Sequence, residues 1–232
     1  KYHLENTDPY DVVIVGDDAA LQFAMEYREE LFPEIPVVFE GVNDEEYAMK
    51  AAENPLVTGI IEKLSVEKNI DMALKVNPTA DKVVAILDDS VTADAERKNF
   101  YNSAENYPEL EFSEINAAEL ETARLQQAIS KVDDKTILIY IVMSKDGSGK
   151  QYTSDQAVRM VVNYSKVPVY RMVEAGIGDG LLGGNVVSMY KSGEIAAQMA
   201  MDIANGTDSA EINVVKDSPN IYCVERNRSE ER

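Results

Sequence analysis

Carboxylates carry most of the chemistry available to this chain. Asp17-Asp18 and Asp88-Asp89 each follow closely on an apolar, β-branched run, and Glu40 and Glu62 directly follow two more. Paired carboxylates can divide the roles of acid and base, as glycoside hydrolysis requires, or they can hold a divalent cation. Pairs drawn from Glu40, Glu62, Asp88 and Asp89 also arise by chance in a chain with 42 acidic residues, so spacing alone assigns them no reaction. The usual catalytic partners are missing. His3, in a polar N-terminal stretch, is the only histidine, and Cys223 is the only cysteine. Cysteine-rich zinc sites and intrachain disulfides are thereby excluded, and the place of His3 in a polar terminal stretch argues against Ser-His-Asp chemistry.

Two glycine-rich stretches imitate phosphate-binding loops. Gly178-Asp-Gly180-Leu-Leu-Gly183 has G-x-G-x-x-G spacing but runs into Gly184-Asn185-Val-Val-Ser, an extended segment. A dinucleotide site needs a helix N-terminus at that point. Asp146-Gly-Ser-Gly-Lys150 ends like a phosphate loop, yet it lacks the first glycine and has Gln151 where a magnesium-binding hydroxyl belongs. Neither stretch implies a cofactor, and none is expected. Asp88-Asp89, with Lys145 after a later apolar run, is similar to the acidic pair and lysine of response-regulator receivers. A receiver closes after five strands, whereas this chain continues for further strand-helix units.

The hydrophobic pattern supplies the elements that must position these groups. Apolar runs at Asp11–Val15, Pro36–Phe39, Val57–Ile61, Lys82–Leu87, Thr136–Val142 and Val167–Tyr170 predict strands buried on both faces. Helices are predicted near 19–32, 45–54, 66–76, 94–107, 119–132 and 153–165, with Thr92 and Thr153 as N-cap candidates. Such alternation means an α/β fold of parallel sheets with right-handed crossovers. Asn185–Met189 adds a strand, and the helix Gly193–Ala204 stops at Asn205-Gly206. Two short strands, Ile212–Val215 and Asn220–Val224, precede a polar tail at 226–232. A chain of 232 residues with this many strands predicts two lobes.

A net charge of −20 opposes contact with nucleic acid or an anionic membrane surface. No apolar run is long enough to span a bilayer, and the first residues do not resemble a signal peptide. The chain does not begin with Met and is expected to be an excised fragment of a longer protein. Ligands of parallel sheets lie beyond the C-terminal strand ends. Here those ends are Gly16-Asp17-Asp18, Glu40 to Asn43, Glu62-Lys63, Asp88 to Ser90, Met143-Ser144 and Arg171 to Gly180. The candidate ligand-binding residues are Asp17, Asp18, Glu40, Asn43, Glu62, Asp88, Ser90, Tyr140, Arg171 and Glu174. Arg171 is the natural partner for a carboxylate, whose two oxygens its fork matches.

Three stretches, Asp11-Val-Val-Ile-Val-Gly-Asp-Asp-Ala-Ala-Leu21, Ile35-Pro-Val-Val-Phe-Glu-Gly-Val-Asn43 and Val57-Thr-Gly-Ile-Ile-Glu62, resemble ABC-transporter substrate-binding proteins with the type I periplasmic-binding fold. Ala80 to Ser90, Val167-Pro-Val-Tyr170, Gly176 to Val187 and Gly193 to Gly206 continue the resemblance in family order. It is nearest to relatives that serve as sensor domains of bacterial histidine kinases and diguanylate cyclases. The resemblance implies two Rossmann-like lobes joined by a crossover hinge and closing on a ligand, with no catalysis. Residues 1–60 would form the first lobe with 187–208 returning to it, and 61–186 the second with 209–225 returning. Gly59, Gly183 and Gly184 would serve the hinge. The ligand would be an amino acid, an aromatic compound or a sugar-like molecule, the location extracytoplasmic, and the partners a membrane signalling or transport protein and a second copy of the chain in a homodimer. Two departures stand out. Only ten residues precede Asp11, where the family carries an opening strand-helix-strand-helix portion, so the first lobe is expected to be incomplete at its N-terminus. Val91-Thr92-Ala93 also replaces a Thr-Gly turn common after the acidic strand end.

Overall fold

The computed structural model describes residues 10–225; His3 and the tail at 226–232 lie outside that range. In chain order the first elements are β1 (Val13–Gly16), α1 (Asp18–Glu26), α2 (Arg28–Leu31), β2 (Val37–Val42), α3 (Glu45–Ala51) and β3 (Val57–Ile61). Then come α4 (Val66–Val76), β4 (Lys82–Leu87), α5 (Val91–Ser103), β5 (Glu111–Asn116), α6 (Thr122–Ser130) and β6 (Thr136–Tyr140). The last are α7 (Ser154–Tyr164), β7 (Val169–Arg171), β8 (Gly183–Val186), α8 (Met189–Ala204) and β9 (Ile221–Val224). Among the described residues no helix is long and apolar enough to cross a membrane. The described residues form two compact units, one from 10–63 plus Val187–Asn220, the other from Leu64–Val186 plus 221–225.

In the first unit, β1, β2 and β3 form a parallel sheet in that order. Leu21 of α1 and Ala48 of α3 pack with Val37, Phe39, Val42, Val57 and Ile61 on one face. On the other face Val38 and Ile60 meet Ala196, Met199 and Ile203 of α8. Cover on both faces is why β2 and β3 read as near-continuous apolar runs. The segment after α8 stays with this unit. Val215 donates to the Gly59 carbonyl at 2.9 Å and accepts from Ile61 at 3.0 Å. Thr58 Oγ1 donates to Ile212 O at 2.8 Å and Ser209 Oγ to Pro55 O at 2.9 Å. These bonds correct the expected return of 209–225 to the second lobe: of these only residues 221–225 return.

The second unit holds a six-stranded sheet of order β5-β4-β6-β7-β8-β9, parallel except for β9, which runs antiparallel to β8. Val83, Ala85 and Leu87 face α4 and α5, while Leu125, Val158 and Val161 of α6 and α7 cover the opposite face with Ile86, Leu138 and Tyr140. The pattern of apolar runs does not announce β5, an edge strand reading Glu-Phe-Ser-Glu-Ile-Asn with its residues exposed or half-buried. Ser90, not Thr92, caps α5, accepting from Ala93 N at 3.3 Å. Thr153 caps α7 as predicted, in a capping box with Gln156.

The three glycines expected at a hinge lie inside strands instead. The chain crosses between units at 63–64, 186–187 and 220–221. A Cβ on Gly59 would stand 2.1 Å from Phe39 O, and one on Gly183, where φ is +92°, 2.1 Å from Cys223 O. On Gly184 it would come within 1.8 Å of Asn69 Oδ1. Close backbone approach is what these positions demand. Asn69, fully buried in α4, uses that space. Its Nδ2 donates to Asn185 O at 2.8 Å and its Oδ1 accepts from Asn185 N at 3.0 Å, so a helix side chain takes the place of a neighbouring strand.

Candidate functional site

Each sheet presents a polar edge at its C-terminal strand ends, and the two edges are built differently. In the first unit the register sets Gly16 beside Glu40, and Asp17 N donates to Glu40 O at 3.0 Å. Asp17 caps α1, its carboxylate accepting from Asp18 N at 2.6 Å, and it is the only non-glycine of the described residues with positive φ, +80°. Asp18 accepts from Asn43 N at 3.3 Å and Asp44 N at 3.0 Å, tying α1 to the end of β2. Asn43 Nδ2 donates to Glu62 Oε1 at 3.3 Å. Burial raises the Glu62 pKa above the ordinary carboxylate value; the Asn43 bond opposes this, and the charges of Glu40, Asp17 and Asp18 add to it. Lys63, at this edge, turns to Glu45 at 2.6 Å. All five residues singled out from the sequence here therefore converge. Together they form an acceptor-rich edge suited to ammonium, amide or hydroxyl donors. Among the described residues no trio of His, Cys, Asp or Glu side chains is arranged to hold a metal ion.

The second edge is wired through buried groups. Asp88, just past β4, is fully buried. It accepts from Ser90 N at 3.0 Å, from Ser144 N at 2.7 Å and from the Ser144 hydroxyl. Burial works against its charge, but the Ser144 and Ser90 hydrogen bonds outweigh it and hold its pKa below the ordinary value. Arg97 of α5 fixes the Asp88 carbonyl from behind with Nη2 at 2.7 Å, while Glu114 of β5 holds its Nε at 3.1 Å. Asp89 pairs with Lys145 at 3.0 Å on the surface. The aspartate a receiver would phosphorylate is thus enclosed and fully engaged.

Tyr140 and Arg171 end β6 and β7 side by side in register. The guanidinium stacks on the Tyr140 ring, Cζ 4.4 Å from the ring centre, a cation–π geometry. Burial raises the Tyr140 hydroxyl pKa, opposed by Arg171 and the Met143 amide and aided by Asp88, which links the two halves of this edge electrostatically. Glu174 is exposed on the loop beyond β7 and forms no ion pair with Arg171. Asp88, Ser90, Tyr140 and Arg171 are brought to one edge; Glu174 is not part of its wiring.

Sequence reasoning does not single out Ser144, Arg97 or Asp146 as site residues. Ser144 stands in view at the strand end after Val142, but only the fold reveals its bond to Asp88. Asp146, nearly buried, accepts from Ser148 N at 3.0 Å and Tyr152 Oη at 2.7 Å and from the Thr122 hydroxyl, which shapes the loop that imitates a phosphate loop. These donors outweigh the burial penalty and depress its pKa strongly.

Solved structures share this architecture. A ligand-free, open substrate binding protein with adhesive properties from Clostridium difficile aligns at TM-score 0.70 and 17% identity, over 94% of this chain and 72% of that one. An ABC domain from Streptococcus pneumonia in complex with L-Trp aligns at 0.64 and 16%, over 99% and 75%. These define an α/β fold of the periplasmic-binding type. The chain belongs to the ABC transporter substrate binding protein family, whose sequence pattern matches residues 6–228. A tyrosine-binding protein of Clostridioides difficile (strain R20291) is 24% identical over 186 residues, 78% of this chain; the chain spans about half the length of that relative, 52%.

Proposed function

We propose that this chain is the ligand-binding portion of an extracytoplasmic receptor for a small polar molecule of the amino-acid class, with an aromatic side chain, and that it performs no chemistry on what it binds. The observation that carries the reading is the pair of strand-end edges. Their polar groups are held in place by hydrogen bonds to backbone and neighbours, as recognition requires. In the second unit the candidate nucleophile Asp88 has its oxygens occupied by Ser90 and Ser144. Within the second unit the ring of Tyr140 with Arg171 suits a planar or anionic group; the first unit's acid-rich edge, taken by itself, suits an ammonium group. Relatives named for tyrosine and crystallised with L-Trp point to the same class.

The receptor passes its state to a membrane transport or signalling partner, and no nucleic acid is involved. A sensor fused to a histidine kinase is the finer reading carried by resemblance, and the sequence flanking the chain distinguishes it from a free transport receptor. Calorimetric titration with the common amino acids, sugars and aromatic acids tests the binding claim. Tyrosine, tryptophan or phenylalanine is expected to bind and to raise the Tm by mass action. Binding confined to sugars, or no binding by any of these classes, would sink it.

A further inference from the structure

Arg171 is a guanidinium that the fold buries without neutralising. It is 8% exposed at the end of β7, in a chain with 42 acidic against 22 basic residues. Arg97 lies between Asp94 and Glu114, and Arg28 feels Glu29 and Glu34. Among the described residues no carboxylate forms an ion pair with Arg171; burial lowers its pKa and Tyr140 opposes that. An uncompensated buried charge is unfavourable enough that most folds supply a counter-ion. Nε donates to Ala175 O at 3.3 Å, and Nη1 donates to Tyr140 O at 3.1 Å and to Ile141 O. Nη2 has no acceptor among the described residues, yet it is not sealed in the interior. The arginine is therefore clamped by two of its nitrogens and free at the third, at a strand end beside a tyrosine ring.

A purely structural clamp accounts for Nε and Nη1. It leaves unexplained why a full cation is kept here with one nitrogen open. A planar anion bound at Nη2 would supply the missing counter-charge, and in this poorly solvated setting the attraction is stronger than on the surface. We infer that Arg171 takes the carboxylate of the ligand through Nη2 and so selects acids over amides and amines with the same aromatic side chain. This rests on the amino-acid reading above and adds the residue that reads the acid group.

The test is a cycle of two proteins and two ligands. Wild type and Arg171→Gln are titrated with tyrosine and with tyrosinamide, which keeps the ring and the amine but has no carboxylate. Wild type is expected to prefer tyrosine by on the order of 100-fold, the scale of a charge-assisted hydrogen bond. In the variant tyrosine weakens by about that factor, tyrosinamide is unchanged, and the preference disappears. Equal weakening of both ligands would make Arg171 a clamp only and overturn the assignment. Should Arg171→Gln fail to fold, Arg171→Lys carries the same comparison: a loss of about 10-fold for tyrosine alone supports the assignment, and an equal loss for both ligands overturns it. If wild type binds neither compound, the amino-acid reading falls and takes the assignment with it.

Discussion

The two strand-end edges place comparable numbers of polar groups at equivalent points of two parallel sheets, yet they handle charge in opposite ways. At the first, Asp17, Asp18, Glu40 and Glu62 crowd together with amides as their main partners. At the second, the buried carboxylate Asp88 is engaged from Ser90, Ser144 and, through its carbonyl, Arg97. The first edge stores repulsion that a cationic group can relieve. At the second, the Asp88 carboxylate is already saturated with hydrogen bonds. Position at the end of a strand is shared by both, so it is the supporting layer that decides whether a carboxylate acts as structure or as recognition.

Substituting Asp88 should break this comparison most severely. Asp88→Ala strands the Ser90 and Ser144 donors and is expected to lower the unfolding free energy by about 3 kcal/mol, read from urea midpoints. A loss below about 1 kcal/mol would mean the edge is not wired as described. The Asp88 pKa is depressed in the folded chain, so its stabilisation is present above the unfolded carboxylate value and lost as pH falls through the folded one. Glu62 has the opposite sign. Its folded pKa is raised, so its contribution is present below the unfolded value and lost as pH rises through the folded one. Glu62→Gln keeps an acceptor for Asn43 and should melt slightly higher than wild type at neutral pH. That gain should vanish when melting curves are recorded below the usual carboxylate range. A gain that persists in acid would show that the crowding at this edge is not electrostatic. The smallest effect is expected from Lys63→Ala, which removes an exposed pair with Glu45; its stability should stay within about 0.5 kcal/mol of wild type.

The sequence makes the first edge more legible than the second for a physical reason. Asp17, Asp18, Glu40, Asn43 and Glu62 all follow short apolar runs, so locating the strands locates them. At the second edge Asp88, Ser90, Tyr140 and Arg171 are found in the same way, but their supports are not. Arg97 lies on a helix face and Glu114 on β5, whose polar, half-covered sequence does not read as a strand. Asn69 is 116 positions from its partner Asn185, and no local pattern encodes a contact at that separation. The parallel α/β order follows from runs buried on both faces. The return point of the chain does not, because Ile212–Val215 and Ile221–Val224 look alike locally and differ only in the edge each joins, β3 or β8. Glycines mislead similarly: Gly59, Gly183 and Gly184 look like joints in sequence, but each makes room for a neighbouring atom.

Because α8 and β9 are each delivered to a unit the chain has already left, neither unit closes early in synthesis: the first waits for α8 and the second for Val224. The sheet of β1, β2 and β3 emerges early but lacks its α8 cover, with Val38 and Ile60 bare, until the whole central segment has followed. At typical elongation rates that is a wait on the order of ten seconds. The nascent chain must therefore be kept from sticking to itself or to others over that interval, and residues 1–63 or 64–186 cut out alone would yield an unfinished product.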